Sequence, residues 1–301
     1  MQELQLRFFT AVARTGSLSA AAEQLHVAVS AVSRQISNLE DGLGLQLFER
    51  RPRGMHLTEP GEILLAYATR NMLEVKNVLA EMRGLNTLQQ HVIKLACPEG
   101  MAWHFLPRVM AAFRGFHPGA TFDVQVVDAA QASALVKDGV VDIALTFSLT
   151  PIQGVEIAMS IGAPIGALMH GDHPLANRAE LTVADLADHP LALSPAGSTM
   201  RYLFDIACNL RGFTIVPVLT SASLGTIYTM VAQSRDVIAL CGAVTVHGRP
   251  EQDDLVFVPL ADPQMSQRSL QVQVMAGRKM PVLIRYFLSF LEEQLTTASR
   301  G

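Results

Sequence analysis

The feature that most constrains this chain is a change in the period of its apolar residues. Up to about residue 88 they recur at helical spacing; from His91 onward short apolar or alternating runs take turns with helical ones. The pattern breaks near residues 60 and 90, which divides the chain into a head (1–60), a linker helix (61–90) and an α/β remainder (91–301). At roughly 100–200 residues per domain, the 301 residues suffice for two or more domains.

In the head, Leu4, Phe8, Phe9, Val12 and Ala13 mark a first helix that Gly16 stops. Ser17 and Ser19 are each placed to cap a second helix, Ala20 to Leu25. The three-residue turn His26-Val27-Ala28 leads to a third, Val29 to Asp41, with Val32, Ile36 and Leu39 inward and Gly42 and Gly44 ending it. Two helices joined by so short a turn make a helix-turn-helix, whose second helix can enter a DNA major groove. Two short strands follow, Leu45 to Phe48 and Met55 to Leu57, with Arg50, Arg51 and Arg53 at the tip between them. Residues 1–60 hold six basic and six acidic residues, so positive charge is focused at this wing and at Arg34, as suits contact with phosphates at chosen points.

Thr58 caps the long helix. Its stripe of Leu64, Leu65, Ala68, Met72, Val75, Leu79 and Met82 is more than a 60-residue head can cover, which predicts a dimer seam through Leu65, Met72 and Leu79. The alternative is packing on its own domain.

Beyond residue 91 a βαβαβ series (strands 92–96, 122–126 and 142–147; helices 101–116 and 131–137) predicts a parallel sheet with helices on both faces. A second series has strands near 164–170, 190–194, 215–219, 237–240 and 255–259, with helices near 182–187, 199–211 and 223–233. Strand 269–275 and helix 281–295 return to the first. This predicts two lobes, 91–160 with 266–301 and 161–265, hinged as a clamshell with its ligand between them.

The net charge of −4 excludes nucleic-acid binding by bulk charge alone. Three scattered cysteines exclude a disulfide scaffold and a cysteine-rich zinc site. The opening residues do not read as a secretory signal, and the apolar stretch 140–169 is broken by Asp142, Pro151, Glu156 and Pro164, so neither secretion nor a membrane span is expected.

The runs Phe8-Phe9-x-x-Val12-Ala13-x-x-Gly16-Ser17-x-x-x-Ala21-Ala22-x-x-Leu25, Ala31-Val32-Ser33-Arg34-Gln35-Ile36, Leu43-Gly44-x-x-Leu47-Phe48-Glu49-Arg50 and Leu57-Thr58-x-x-Gly61 resemble the head of LysR-type transcriptional regulators. Leu106-Pro107, Asp138-Gly139-x-x-Asp142 and His173-Pro174-Leu175-Ala176 resemble that family's effector domain. The resemblance implies a winged helix-turn-helix, a linker helix and a two-lobed α/β effector domain like a periplasmic binding protein. It further implies a cytoplasmic homo-oligomer, a dimer or a tetramer, that binds double-stranded DNA at a two-fold-related site, with no membrane partner. One departure stands out. Where the family usually reads Ser-Gln-Pro before the recognition helix, this chain has Ala28-Val29-Ser30. Ser30 is then the expected cap, and Val29 offers a thymine methyl group a surface in place of a hydrogen bond.

The expected DNA contacts are Ser17, Ser19, Val29, Ser30, Ser33, Arg34, Arg50 and Arg53; their alternatives are caps and solvated surface. The expected pocket is lined by Cys97, Pro98, Glu99 and Gly100, by Thr146 and Phe147, by Ser198 and Thr199, and by Arg201 and Ser223. Each of these is also readable as an ordinary cap or turn. With Arg201 as the nearby cation, a small neutral or singly charged metabolite is expected. Cys97, Cys208 and Cys241 read as buried apolar residues, and Thr199 stands where the family's peroxide sensors carry their cysteine. The histidines have no metal-ligand spacing, and no phosphate loop, nucleophile elbow or cofactor motif marks an enzyme. A solute-binding transport module is the third class weighed; the amino-terminal helix-turn-helix argues against it.

Overall fold

The computed structural model describes residues 3–52, 54–82, 92–148 and 154–299. It divides into two compact units, residues 1–83 with 277–279, and 84–276 with 280–301.

In the first unit, α1 (Glu3–Thr15), α2 (Leu18–Leu25) and α3 (Val29–Leu43) enclose a core of Phe9, Val12, Ala21, Ala22, Val32, Ile36 and Leu39. Leu4, which belongs to the helical run by spacing, is exposed, while Leu6 in the same turn is buried. Ser17 is the N-cap of α2, its Oγ accepting from Ala20 N at 3.3 Å; Ser19 lies inside the first turn and does not cap. The recognition helix starts at Val29 with Ala28 as an N-cap that makes no side-chain hydrogen bond, so Ser30 does not take over the cap. Its end is also later than expected. Gly42 continues the helix, and only Gly44, at φ 66°, reverses it through the left-handed region.

The wing is β1 (Phe48–Arg51) paired antiparallel with β2 (Gly54–Leu57). Residues 45–47 are not strand. Glu40 reaches over from α3 and its Oε1 accepts Leu47 N at 2.7 Å and Phe48 N at 3.1 Å, which holds that approach as a loop. The strand therefore runs further and the tip is shorter than the sequence implied. Arg50 sits within β1 opposite Met55, and Arg51 within β1 opposite Gly54. α4 (Glu59–Met82) follows, with Thr58 Oγ1 accepting Gly61 N at 3.2 Å as expected of its cap. The rest of the predicted linker helix, to residue 88, falls outside the described residues.

The second unit holds two five-stranded sheets. The first is ordered β4-β3-β5-β12-β6, from β3 (Val92–Cys97), β4 (Thr121–Val126), β5 (Ile143–Ser148), β6 (Val155–Gly162) and β12 (Ser269–Met275). Its helices are α5 (Leu106–Phe116), α6 (Ala129–Lys137) and α10 (Val282–Ala298). The second is ordered β11-β7-β10-β8-β9, from β7 (Ile165–His170), β8 (Leu191–Leu193), β9 (Leu219–Thr220), β10 (Ile238–Gly242) and β11 (Leu255–Pro259). Its helices are α7 (Thr199–Leu210), α8 (Leu224–Gln233) and the short α9 (Ala243–Val246).

Neither sheet is purely parallel. β3 runs parallel to β4 and β5, but β12 is antiparallel to both β5 and β6; β7 is antiparallel to both β10 and β11. The strands that carry the chain between lobes enter the sheets from the opposite end, and direction is set by that return path. β6 was not anticipated. It is the edge strand, half-exposed along its length, so no clean alternation announces it.

Candidate nucleic-acid interface and ligand cleft

On the first unit, the inward face of α3 is consumed by Val32, Ile36 and Leu39. That leaves Val29, Ser30 and Arg34 exposed and Ser33 half-buried on the outer face of its first two turns. Arg34 has no ion-pair partner among the described residues, so its guanidinium is free for a base edge or a phosphate. Arg50 is exposed on β1; Arg51 is held by Glu49 at 2.7 Å. Arg53, the third wing arginine, lies outside the described residues. Ser17 has its hydroxyl at the start of α2, while Ser19 is exposed within its first turn. The amino end of α2, the first turns of α3 and the wing are thus solvent-accessible features of one small unit, as DNA docking by a winged helix-turn-helix requires.

α4 divides along its length. Leu64 and Leu65 pack against the head core and Ala68 is buried, whereas Met72, Val75 and Leu79 are more than a third exposed and Met82 is 77% exposed. Of the three predicted dimer-seam residues, Leu65 belongs in part to the head itself, and Met72 and Leu79 are open.

On the second unit, the loop after β3 enters a π-helical turn (Met101–Phe105) before α5, so the single helix expected over 101–116 is two segments. π-turns often mark functional sites. Cys97 is fully buried in the core of the first sheet, and burial pushes its thiol up to about 12. Its carbonyl is engaged too, accepting Val127 N at 3.0 Å, so Cys97 is a core residue and not an open lining residue of the expected pocket. Glu99 crosses to the other lobe, its Oε2 accepting Leu224 N at 2.6 Å at the start of α8. Trp103, the single tryptophan of the chain, lies 4.7 Å from the Tyr228 ring of α8, centroid to centroid. Thr199 Oγ1 donates to Phe147 O at 3.4 Å, joining the end of β5 to the start of α7. The expected pocket segments are therefore linked in two pairs across the sheets, Glu99 with the start of α8 and Phe147 with the start of α7.

Within that junction several hydroxyls are already engaged. Ser198 caps α7, accepting Arg201 N at 3.1 Å, and its Oγ lies 2.7 Å from Ser194 Oγ. Ser223 caps α8, accepting Thr226 N at 3.3 Å. Arg201 is not a free cation: its Nε donates to Asp205 Oδ1 at 2.8 Å, an i,i+4 pair legible in the sequence. Thr146 is fully buried and its Oγ1 has no partner among the described residues. Two other thiols are pushed up by desolvation, Cys208 to about 11 and Cys241 to about 12, so both stay protonated at neutral pH.

Sequence reasoning missed Arg268, just before β12. It is buried, its Nε donates to Ala163 O at 3.2 Å, and its guanidinium carbon lies 4.1 Å from the centre of the Phe147 ring. The available signal was a lone basic residue at the second crossing between lobes.

Among the described residues no group of three or more metal-ligating side chains forms, and no helix is long and apolar enough to cross a membrane.

The comparisons agree with this architecture. The bacterial regulatory helix-turn-helix protein, lysR family, matches residues 4–62, and the LysR substrate binding domain matches residues 86–296. A probable nitrogen assimilation transcriptional activator of Synechococcus elongatus is 28% identical over 295 residues, covering 97% of this chain and 94% of that one. A RuBisCO operon transcriptional regulator of Allochromatium vinosum is 32% identical over 216 residues, 70% of each chain. A full-length OxyR variant from Pseudomonas aeruginosa superposes with a TM-score of 0.64 at 19% identity over 100% of this chain and 97% of that one. CbnR complexed with its target DNA does so with 0.51 at 21% identity, over 98% and 100%. At these identities the two structures establish a shared fold. Together with the matched sequence families, they make this chain a member of the LysR family of transcriptional regulators, with a DNA-binding head and an effector-binding domain.

Proposed function

We propose that residues 1–60 read DNA, residues 61–90 pair two protomers, and residues 91–301 bind a small organic effector between lobes of 91–160 with 266–301 and 161–265. Two heads carried by one pairing helix dimer address a two-fold-related site, and two such dimers form a tetramer. The chain acts in the cytoplasm as a regulator and not as an enzyme, which is supported by relatives that are named transcriptional regulators. The observation that carries the DNA reading is the outer face of α3. It presents Arg34, without an ion-pair partner among the described residues, beside Val29, Ser30 and Ser33, on a helix whose inner face the core already uses.

Arg34 reads a base, while Arg50 and Arg53 hold phosphates. Gel shifts and sequence selection on the upstream DNA of the neighbouring gene test this. Arg34→Ala is expected to cost about 1–3 kcal/mol and to relax preference at one position. Arg50→Ala is expected to weaken all sequences alike and lower the salt slope by about 0.9. An Arg34→Ala protein with unchanged affinity and unchanged preference refutes the docking.

The effector reading rests on Thr199, whose hydroxyl ties α7 to the Phe147 carbonyl across the lobes. A ligand that inserts there must compete with that weak bond. Thermal-shift screening of metabolites identifies the effector. Thr199→Val is then expected to weaken its binding in calorimetry by about 0.5–1.5 kcal/mol, the worth of one neutral hydrogen bond, and to leave ligand-free DNA affinity unaltered. Equal affinity in Thr199→Val and Ser198→Ala moves the pocket elsewhere.

A further inference from the structure

Arg268 stands at the hinge. Its backbone carbonyl accepts Ala163 N at 2.9 Å and its Nε donates to Ala163 O at 3.2 Å, so it joins the two crossings between lobes to each other. Its guanidinium lies over the Phe147 ring, at the carboxyl end of β5. Its Nη2 faces the backbone of Gly242, at the carboxyl end of β10, so closely that a side chain there would collide with it. Ligands of open α/β sheets gather where such strand ends converge. Yet Nη2 is buried and has no hydrogen-bond partner among the described residues. No described carboxylate pairs with the guanidinium. The titratable group beside it is Cys241, whose thiol remains neutral.

Burial pushes Arg268 down only to about 10, so it carries its charge at neutral pH. A buried charge without a counter-ion is costly, and buried polar groups left unpaired call for a partner. The aromatic face of Phe147 supplies part of the compensation and leaves the Nη2 hydrogens unmet.

We propose that Arg268 is the anchor for a carboxylate group of the effector, whose oxygen accepts from Nη2 at the junction of β5, β10 and α7. This deepens the reading of the cleft and rests on it. Nη2 is the buried nitrogen left without a partner among the described residues, and one such donor suits one carboxylate group better than the several charges of a di- or triphosphate. Arg201 does not share the task, because Asp205 already neutralises it.

The test uses the full chain and small probes at tens of millimolar: acetate, pyruvate and benzoate, each against its primary amide and against chloride at equal ionic strength. Thermal unfolding is followed with Trp103 fluorescence as one signal, because that residue lies on the lobe junction. At least one carboxylate is expected to raise the midpoint of the wild type while its amide does not. Arg268→Met is expected to raise the probe-free midpoint, since it removes an uncompensated buried charge, and to lose the response to carboxylates by tenfold or more in apparent affinity. Arg268→Lys retains the charge without the planar fork and is expected to respond in part. A residue serving only as a clamp gives the reverse: a lowered midpoint in Arg268→Met and an unchanged carboxylate response. That outcome overturns the proposal, as does equal stabilisation by acids and amides, or by no carboxylate at all. Should Arg268→Met fail to fold, the acid–amide comparison on the wild type and Arg268→Lys decide. Once an effector is identified, binding lost in Thr199→Val but retained in Arg268→Met overturns the anchor alone, and binding retained in both overturns the cleft.

Discussion

Met72→Asp and Leu79→Asp are each expected to turn the proposed α4-paired dimer into a monomer and to lower affinity for a two-fold-related DNA site by roughly 10²–10⁴, with the head still folded. The size of the effect follows from valency. Two linked heads bind the second half-site at an effective concentration set by the linker, and that gain disappears with the link. The direction follows from burial. Both side chains are exposed on the lone protomer, 37% for Met72 and 44% for Leu79, so a carboxylate there costs the monomer little. In a paired seam the same carboxylate is unpartnered and excluded from water, at several kcal/mol per copy. Leu65→Asp is the poorer test, because Leu65 also packs against the head core. Sedimentation velocity and gel shifts on full and half sites check the pair. Variants that sediment as dimers with full affinity move the interface off α4.

Gly61→Ala is expected to destabilise the head by about 1–3 kcal/mol or more, against the usual trend for a helical glycine. Alanine at an open helical position gains up to about 1 kcal/mol over glycine. Gly61 is not open. A methyl group there would overlap the backbone carbonyl oxygen of Leu47 and stand 2.9 Å from Leu57 Cδ2. The Leu47 carbonyl cannot swing aside without losing its hydrogen bond from Thr58 N at 3.0 Å, and that bond ties the wing to the start of α4. Overpacking of this kind costs about 1–3 kcal/mol and more where backbone must move. The wing and α4 should therefore separate, and DNA affinity should fall with the folded fraction. Gly42→Ala is the matched control. It lies in α3 with nothing within 4 Å of the added methyl group, and is expected to stabilise the head by about 0.5–1 kcal/mol. Scanning calorimetry separates the two signs. A stabilised Gly61→Ala head refutes the close approach.

The effector region shows how far residue patterns carried. The lobe-forming strands around Ile143, Ile165, Ile238 and Leu270 are apolar runs that can only be buried, and the sequence places them all. The proposed pocket segments Pro98-Glu99-Gly100 and Ser198-Thr199 were singled out because they follow strands and precede helices, and the structure places them so. Ser198 and Ser223 then proved to be caps, a use of the hydroxyl that short-range sequence cannot separate from ligand binding.

By itself the sequence determined the elements and their order. Periodic apolar residues, glycines at 16 and 44, and the caps Ser17 and Thr58 act within a few residues of one another, so they are read without knowing the fold. The tertiary structure alone decided the direction of β12, the strand β6, the register that places Arg50 within the wing, and above all that Arg268 is buried without a counter-ion among the described residues. Arg201 and Arg268 are alike as letters. One has Asp205 a turn away, and the other is left without a counter-ion where two lobes meet. The first pair lies within one helical turn and is legible locally; the burial of Arg268 and its want of a counter-ion depend on residues far apart in the chain, and no local pattern contains those distances.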